Sequence, residues 1–161
     1  MDMKRIQEFF FESMVGGWVS GGNEVSIPAF PGFKVIVYER ENLRLIDMWT
    51  KTVGESDKSS GVTTIFQDDQ PVWIMHYGGS YPKNMTFFVK TALQEAYRNK
   101  RFCWGRGPES FHISGDDTEY INMGHGDFNS FEGREELFGK NRNGKRDLLG
   151  YHKYWGMSLM E

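Results

Sequence analysis

A chain of 161 residues is long enough to bury about two thirds of the surface its unfolded form would expose, so its core needs no disulfide staple. A formal charge of −3 disfavours a general nucleic-acid or anionic-membrane binder, because neither polyanion is attracted over most of such a surface. The single cysteine, Cys103, excludes an intrachain disulfide and a thiolate zinc cluster and fits a reducing compartment.

At the N-terminus, the three-residue apolar run is interrupted by acids, unlike the core of a signal peptide, and no apolar stretch reaches bilayer length. The expected location is cytoplasmic, with no membrane partner. Residues 2–14 place Ile6, Phe9, Phe10 and Met14 on one helical face, with Asp2 as N-cap and Gly16-Gly17 as the stop. The glycine-rich stretch Trp18–Asn23 follows a helix and leads to Pro28 and Pro31. A phosphate-cradling loop follows a strand and opens a helix, so a plain connector is the better reading.

From Phe33 the apolar period changes to two. Lys34–Glu39 and Leu43–Trp49 read as strands around the polar tip Arg40-Glu41-Asn42, followed by a polar loop over 50–60. Gly61–Phe66 and Pro71–Gly79 flank a second tight hairpin, Gln67-Asp68-Asp69-Gln70, which completes a four-stranded meander over 33–79. Pro71–Gly79 is dense in β-branched and aromatic residues and is expected at the sheet centre, buried on both faces. Trp73, Met75 and Tyr77 project from one side, and Val72, Ile74 and His76 from the other. The strongest helix pattern spans 82–98, where Met85, Phe88, Val89, Ala92, Leu93 and Ala96 form a stripe wide enough to cover one sheet face.

A second meander is expected over 109–156, with strands at 109–114, 118–123, 128–138 and 148–155. It repeats the first in order: residues 43–48 (LRLIDM) match 118–123 (TEYINM), Gly61…Ile65-Phe66 matches Gly133…Leu137-Phe138, and Met75…Tyr77 matches His152…Tyr154. The expected fold is therefore α+β in one domain over 1–161. A mostly antiparallel sheet of two related four-stranded units carries an N-terminal helix and a central amphipathic helix. The basic hairpin tip Lys140–Arg146, turning at Asn143-Gly144, reads as a solvated tip more readily than as a phosphate grip.

Tyr38, Leu45-Ile46-Asp47, Ser60-Gly61, the spaced positions of Pro71–Gly79, the turn Arg106-Gly107-Pro108, Phe131…Glu135 and Tyr154…Gly156 together resemble a bacterial family, domain of unknown function 5680. The resemblance runs from the first helix to Gly156. It implies a module that occurs alone or behind an Xre-type helix-turn-helix, where a sensing or partner-binding part sits, and it implies no activity. Val62-Thr63 and Trp155 depart from the family pattern, which has Gln-Glu after the glycine and His near the last Gly.

General acid–base chemistry needs a carboxylate or imidazole tuned by burial or by a neighbour, and the candidates are Asp47, His76, His125, Asp127, Glu132, Glu135 and His152. His125-x-Asp127, with His112 or His152, matches no metal-box spacing, and Gly124–Asp127 reads first as a turn, so neither a metal nor a cofactor is expected. Cys103 lies among apolar residues as an inert buried thiol.

The favoured reading is a small-molecule or protein-partner binding module, sensor-like and linked to transcriptional regulation. The residues chosen for the site are Tyr38, Asp47, Trp73, His76, Tyr77, Glu135, Tyr154 and Trp155. A hydrolase using Asp47, His76 and Glu135 and a structural or homo-oligomerisation domain stay open as alternatives.

Overall fold

The computed structural model describes residues 2–19, 24–50 and 56–160, the side chains of Trp18 and Val19 excepted. Most of the Trp18–Asn23 connector and the loop over 51–55 thus lie outside the described residues. Helix α1 spans Met3–Ser13, and Asp2 caps it by accepting from Lys4 N at 3.0 Å. The expected stop at Gly16-Gly17 does not occur there, because the chain continues as a π-helical turn over Met14–Val19. The glycines serve close packing instead. A Cβ on Gly16 would stand 2.7 Å from the Tyr38 ring, and one on Gly17 3.3 Å from Ile36 Cγ2.

The strands are β1 (Glu24–Val25), β2 (Phe33–Arg40), β3 (Leu43–Thr50), β4 (Lys58–Gln67), β5 (Gln70–Ser80), β6 (Ser110–His112), β7 (Glu119–Asp127), β8 (Ser130–Lys140) and β9 (Arg146–Ser158). They form one antiparallel sheet in the order β1-β2-β3-β4-β5-β9-β8-β7-β6. The first two hairpin tips turn tightly on residues with positive φ, Glu41 in one and Asp68-Asp69 in the other. Residues 124–127 belong to β7 and are not the expected turn, which falls at Phe128-Asn129. The reason is space: a Cβ at Gly124 would meet the Trp104 ring at 2.6 Å, so the glycine lets the strand run on beneath that ring.

The two meanders join edge to edge through β5 and β9, with Tyr77 opposite Tyr154. The register is consistent with the repeat. Gly61 faces Tyr77 as Gly133 faces Tyr154, and Asp47 faces Thr63 as Asn122 faces Glu135. A bulge after Ile65 matches one after Leu137. Each tyrosine lies over its glycine: a Cβ built on Gly61 would stand 2.5 Å from Tyr77 Cζ, and one on Gly133 2.5 Å from Tyr154 Cζ. Gly133→Ala is therefore expected to displace the Tyr154 ring and its hydrogen bond to Asn122, costing about 1–3 kcal/mol, the usual range for overpacking. Urea denaturation checks this, and a loss under about 0.5 kcal/mol would mean that the ring yields freely.

Helix α2 (Thr86–Arg98) follows a 3₁₀ turn at Lys83–Met85 and, with α1, packs on one face of the sheet. Phe10, Phe88, Val89, Ala92 and Leu93 meet Leu45, Ile65, Trp73, Met75 and Tyr120 in the core, where Trp73 stacks on Phe128 at 4.9 Å and donates from Nε1 to Phe128 O at 2.9 Å. Strand β5 is central in the sheet order, as expected, but it is not buried on both faces. Trp73 and Met75 are buried under the helices, whereas Ile74 and His76 are half-buried on a face that no helix among the described residues covers. Val72 joins the core although alternation assigns it outward, because Phe66 pairs with Pro71 and Ile65 with Trp73, leaving Val72 as the bulged residue.

Candidate functional site

Strand alternation sends Asp47 and Trp49 of β3, Ser59 and Thr63 of β4, Tyr77 of β5 and His152 of β9 to the helix-covered face. There they line a half-open cavity of about 580 Å³ beneath α2, with Val89 and Leu93 of the helix and Arg106 also in its wall. The volume is that of a small-molecule site, and the lining mixes apolar and aromatic side chains with many polar and charged ones. Glu24, Lys34, Asp57, Lys83 and Lys90 line its more exposed side, where Lys34 pairs with Glu24 at 2.9 Å and Asp57 accepts from Lys83 N at 3.2 Å.

Asp47 is only 1% exposed. Its Oδ1 accepts from Thr63 Oγ1 at 2.8 Å and from Tyr77 Oη at 3.0 Å. Burial pushes its carboxyl up to about 6, outweighing the two hydroxyl hydrogen bonds and the charge of Arg106. Burial likewise drives the Tyr77 hydroxyl well above its usual value, with the neighbouring Asp47 adding to the rise.

Behind this floor lies a second polar cluster. Arg106, 5% exposed, donates from Nε and Nη2 to Glu135 Oε1 at 3.0 and 2.5 Å, while Tyr120 donates to Glu135 Oε2. The guanidinium also lies over the Tyr77 ring at 5.1 Å. Burial alone would raise the Glu135 carboxyl, but the charge and hydrogen bonds of Arg106, helped by His152 and Tyr120, hold it below its usual value. His152 Nδ1 stands 3.7 Å from Glu135 Oε1, its Nε2 lies 3.3 Å from Ser59 Oγ, and Tyr81 packs on its ring at 4.3 Å. Burial takes this imidazole down to about 4 despite the nearby carboxylate, so it is neutral at physiological pH. Among the described residues, His152 Nδ1 is buried without a hydrogen-bond partner, and burial together with the nearby Glu135 drives the Tyr81 hydroxyl well above its usual value.

The eight residues chosen from the sequence separate into five places. Asp47 and Tyr77 meet in the cavity, and Glu135 holds Arg106 just behind it. Tyr38 turns to α1, donating to Glu12 at 2.9 Å, and Trp73 is core. Tyr154 is buried and donates to Asn122 Oδ1 at 2.6 Å. His76 and Trp155 stack at 4.5 Å on the uncovered face, over a broad depression shared with Met123 and Arg134. The expected hydrolase trio is thus not assembled, because His76 is one residue out of step with Tyr77 and points away from Asp47. The imidazole on the cavity side is His152, which the sequence presents among several candidates. The guanidinium is Arg106, which the sequence presents only as part of a turn.

The remaining candidates lie apart. His125 pairs with Glu132 at 3.3 Å in solvent, and Asp127 accepts from Asn129 N at 2.8 Å. No group of three or more potential metal ligands occurs among the described residues. The basic tip is exposed, with Lys140 paired to Asp117 and Arg146 to Glu119. Cys103 is a free, buried thiol whose pKa burial raises, with Glu109 adding to the rise. No helix among the described residues is long and apolar enough to cross a membrane.

The family described as Domain of unknown function (DUF5680) matches residues 53–148, more than half of the chain, and the chain belongs to that family. The matched span includes Tyr77, Arg106 and Glu135, while Asp47 and His152 lie outside it. No curated protein matches the chain, and no solved structure matches it.

Proposed function

We propose that this member of a family of unknown function is a cytoplasmic, bacterial small-molecule binding module of sensor type, linked to transcriptional regulation, with its ligand in the cavity beneath α2. The observation that carries the reading is the burial of Asp47 at the wall of a roomy cavity. A carboxylate held at an energetic cost within a ligand-sized space is the mark of a group kept for binding or proton transfer, since stability alone would favour a neutral residue there. Tyr77 and Thr63 orient that carboxylate by hydrogen bonds, Arg106 acts on it through its charge, and Trp49 and Leu93 supply apolar wall.

A thermal-shift screen against metabolites tests it. A ligand present at 100 times its Kd adds about 2.7 kcal/mol to the folded state. For a chain of this length that is a rise of about 5–10 °C in Tm. Silence across a broad library would reject the small-molecule reading.

A second reading, a protein partner or a second copy on the uncovered sheet face, is favoured by Met123, Trp155 and Met157, which are 55%, 47% and 42% exposed there. Pairing through sheet edges has less support, because the edge strands β1 and β6 contain two and three residues and present few backbone groups.

A further inference from the structure

We infer that the cavity is a site of acyl transfer from a small carboxylic ester, with Ser59 Oγ as nucleophile, His152 as its general base and Glu135 positioning the imidazole. The inference goes beyond the binding reading and shares with it only the premise that a small molecule enters the cavity. It follows from one cross-strand row. Ser59 of β4 faces Gly79 of β5, Gly79 faces His152 of β9, and His152 faces Glu135 of β8, so these positions share the helix-covered face. Adjacent strands stand about 4.8 Å apart, and an imidazole on β9 reaches β4 only by lying across β5. Gly79 provides that passage, since a Cβ there would stand 2.8 Å from His152 Cδ2.

The ring is turned as a base between a nucleophile and a carboxylate must be. Nε2 points to Ser59 Oγ at 3.3 Å and Nδ1 to Glu135 Oε1 at 3.7 Å. Such contacts are commonly loose before substrate binds and tighten with it. Ser59 is half-buried and, like His152, lines the cavity, so its hydroxyl is within reach of a bound molecule. His152 is neutral at physiological pH and can accept the hydroxyl proton. Against burial, the Glu135 carboxylate favours the resulting imidazolium more than the Arg106 charge opposes it. The fold itself does not require these groups: the corresponding row of the first meander has Thr63 in place of Glu135 and Met75 in place of His152.

In the reaction, Ser59 Oγ bonds to the acyl carbon as its proton passes to His152 Nε2. The ester C–O bond breaks, and the departing alkoxide takes that proton and leaves as the alcohol. Water then attacks the acyl carbon and gives a proton to Nε2. Ser59 Oγ leaves with that proton, and the carboxylic acid is released.

The test treats the full chain at neutral pH with a small alkyl fluorophosphonate, which bonds through phosphorus to an activated serine oxygen and expels fluoride. Peptide mass spectrometry is expected to place the adduct on Ser59. Ser60→Ala, on the other face of β4, should label as the parent does. Ser59→Ala should not label, and His152→Gln should label about a hundredfold more slowly, with para-nitrophenyl acetate hydrolysis falling in both. In the parent protein, imidazole nitrogen NMR spectra are expected to show the His152 proton on Nδ1, facing Glu135, and none on Nε2. An unlabelled Ser59, unslowed labelling in His152→Gln, or a proton on Nε2 would overturn the inference. If a screened metabolite raises Tm while Ser59 stays unlabelled, the binding reading stands and this inference falls. If Ser59 is labelled and no metabolite binds, the inference stands and the sensor reading falls.

Discussion

Arg106→Met is expected to destabilise the protein by about 3–5 kcal/mol, the cost of breaking a buried ion pair from one side. The methionine roughly fills the volume, so the loss is electrostatic: Glu135, fully buried, would keep Tyr120 and the neutral His152 but no cation. A pH signature distinguishes this from poor packing. In the parent protein the Glu135 pKa is depressed, so its contribution is present above the unfolded-state value near 4.5 and is lost as the pH falls through the folded value. Without Arg106, burial raises the Glu135 pKa, and stability should instead fall as the pH climbs above about 4.5. Urea midpoints from pH 4 to 8 read both effects. A loss below about 1 kcal/mol, or an unchanged pH slope, would show that the pair is not what holds the turn at Arg106 to β8. The double variant Arg106→Met/Glu135→Gln should recover much of the loss by removing the stranded charge.

Asp47→Asn is expected to act in the opposite direction and stabilise the unliganded protein above pH 6. A carboxyl moved from its usual 3.8 to about 6 binds a proton in the folded state that the unfolded state has released. At about 1.36 kcal/mol per pH unit, keeping it ionised costs about 3 kcal/mol at pH 8 and nothing below pH 4. Asparagine can accept from both Thr63 and Tyr77 without this cost.

His152 supplies the complementary slope. Moved from 6.5 to about 4, it makes stability rise with pH across that window, again by about 3 kcal/mol, so in the parent protein the two groups nearly offset each other between pH 4 and 6. The variant should therefore gain about 6–12 °C in Tm at pH 8, show no gain at pH 4, and expose the acid sensitivity of His152 in between. A D47N protein less stable than the parent at pH 8 would show that the carboxylate is a structural asset and would remove the main support for the binding site.

Local chemistry made most of the framework legible. The spacing of Ile6, Phe9, Phe10 and Met14 announced α1, and the stripe from Phe88 to Ala96 announced α2. Alternation and tight polar tips announced the strands, and the paired motifs around Asp47-Met48 and Asn122-Met123 anticipated the shared register of the two meanders. The misjudged places share a cause. Gly16-Gly17 and Gly124 looked like punctuation because glycine ends helices and turns chains. Here it clears space for the Tyr38, Ile36 and Trp104 side chains from elsewhere in the chain.

The candidate site was legible only in part for a related reason. Asp47 and Tyr77 could be chosen because each is a polar residue within an apolar strand pattern. Arg106 carried no such mark, and its significance comes from Glu135, 29 positions later. His76 and His152 are equally plausible imidazoles along the chain, and the sheet decides between them.

What the sequence by itself indicated is both helices, the strands from β2 to β9 and their hairpin order, all of which depend on neighbours a few residues apart; the short β1 went unread. What the tertiary structure decided is that β5 joins β9 to make one sheet, that both helices lie on the same face, and that Asp47 and Arg106 therefore share a cavity. Those outcomes depend on which surfaces bury one another, a choice made between segments as far apart as Phe10 and Phe128 that no local periodicity encodes.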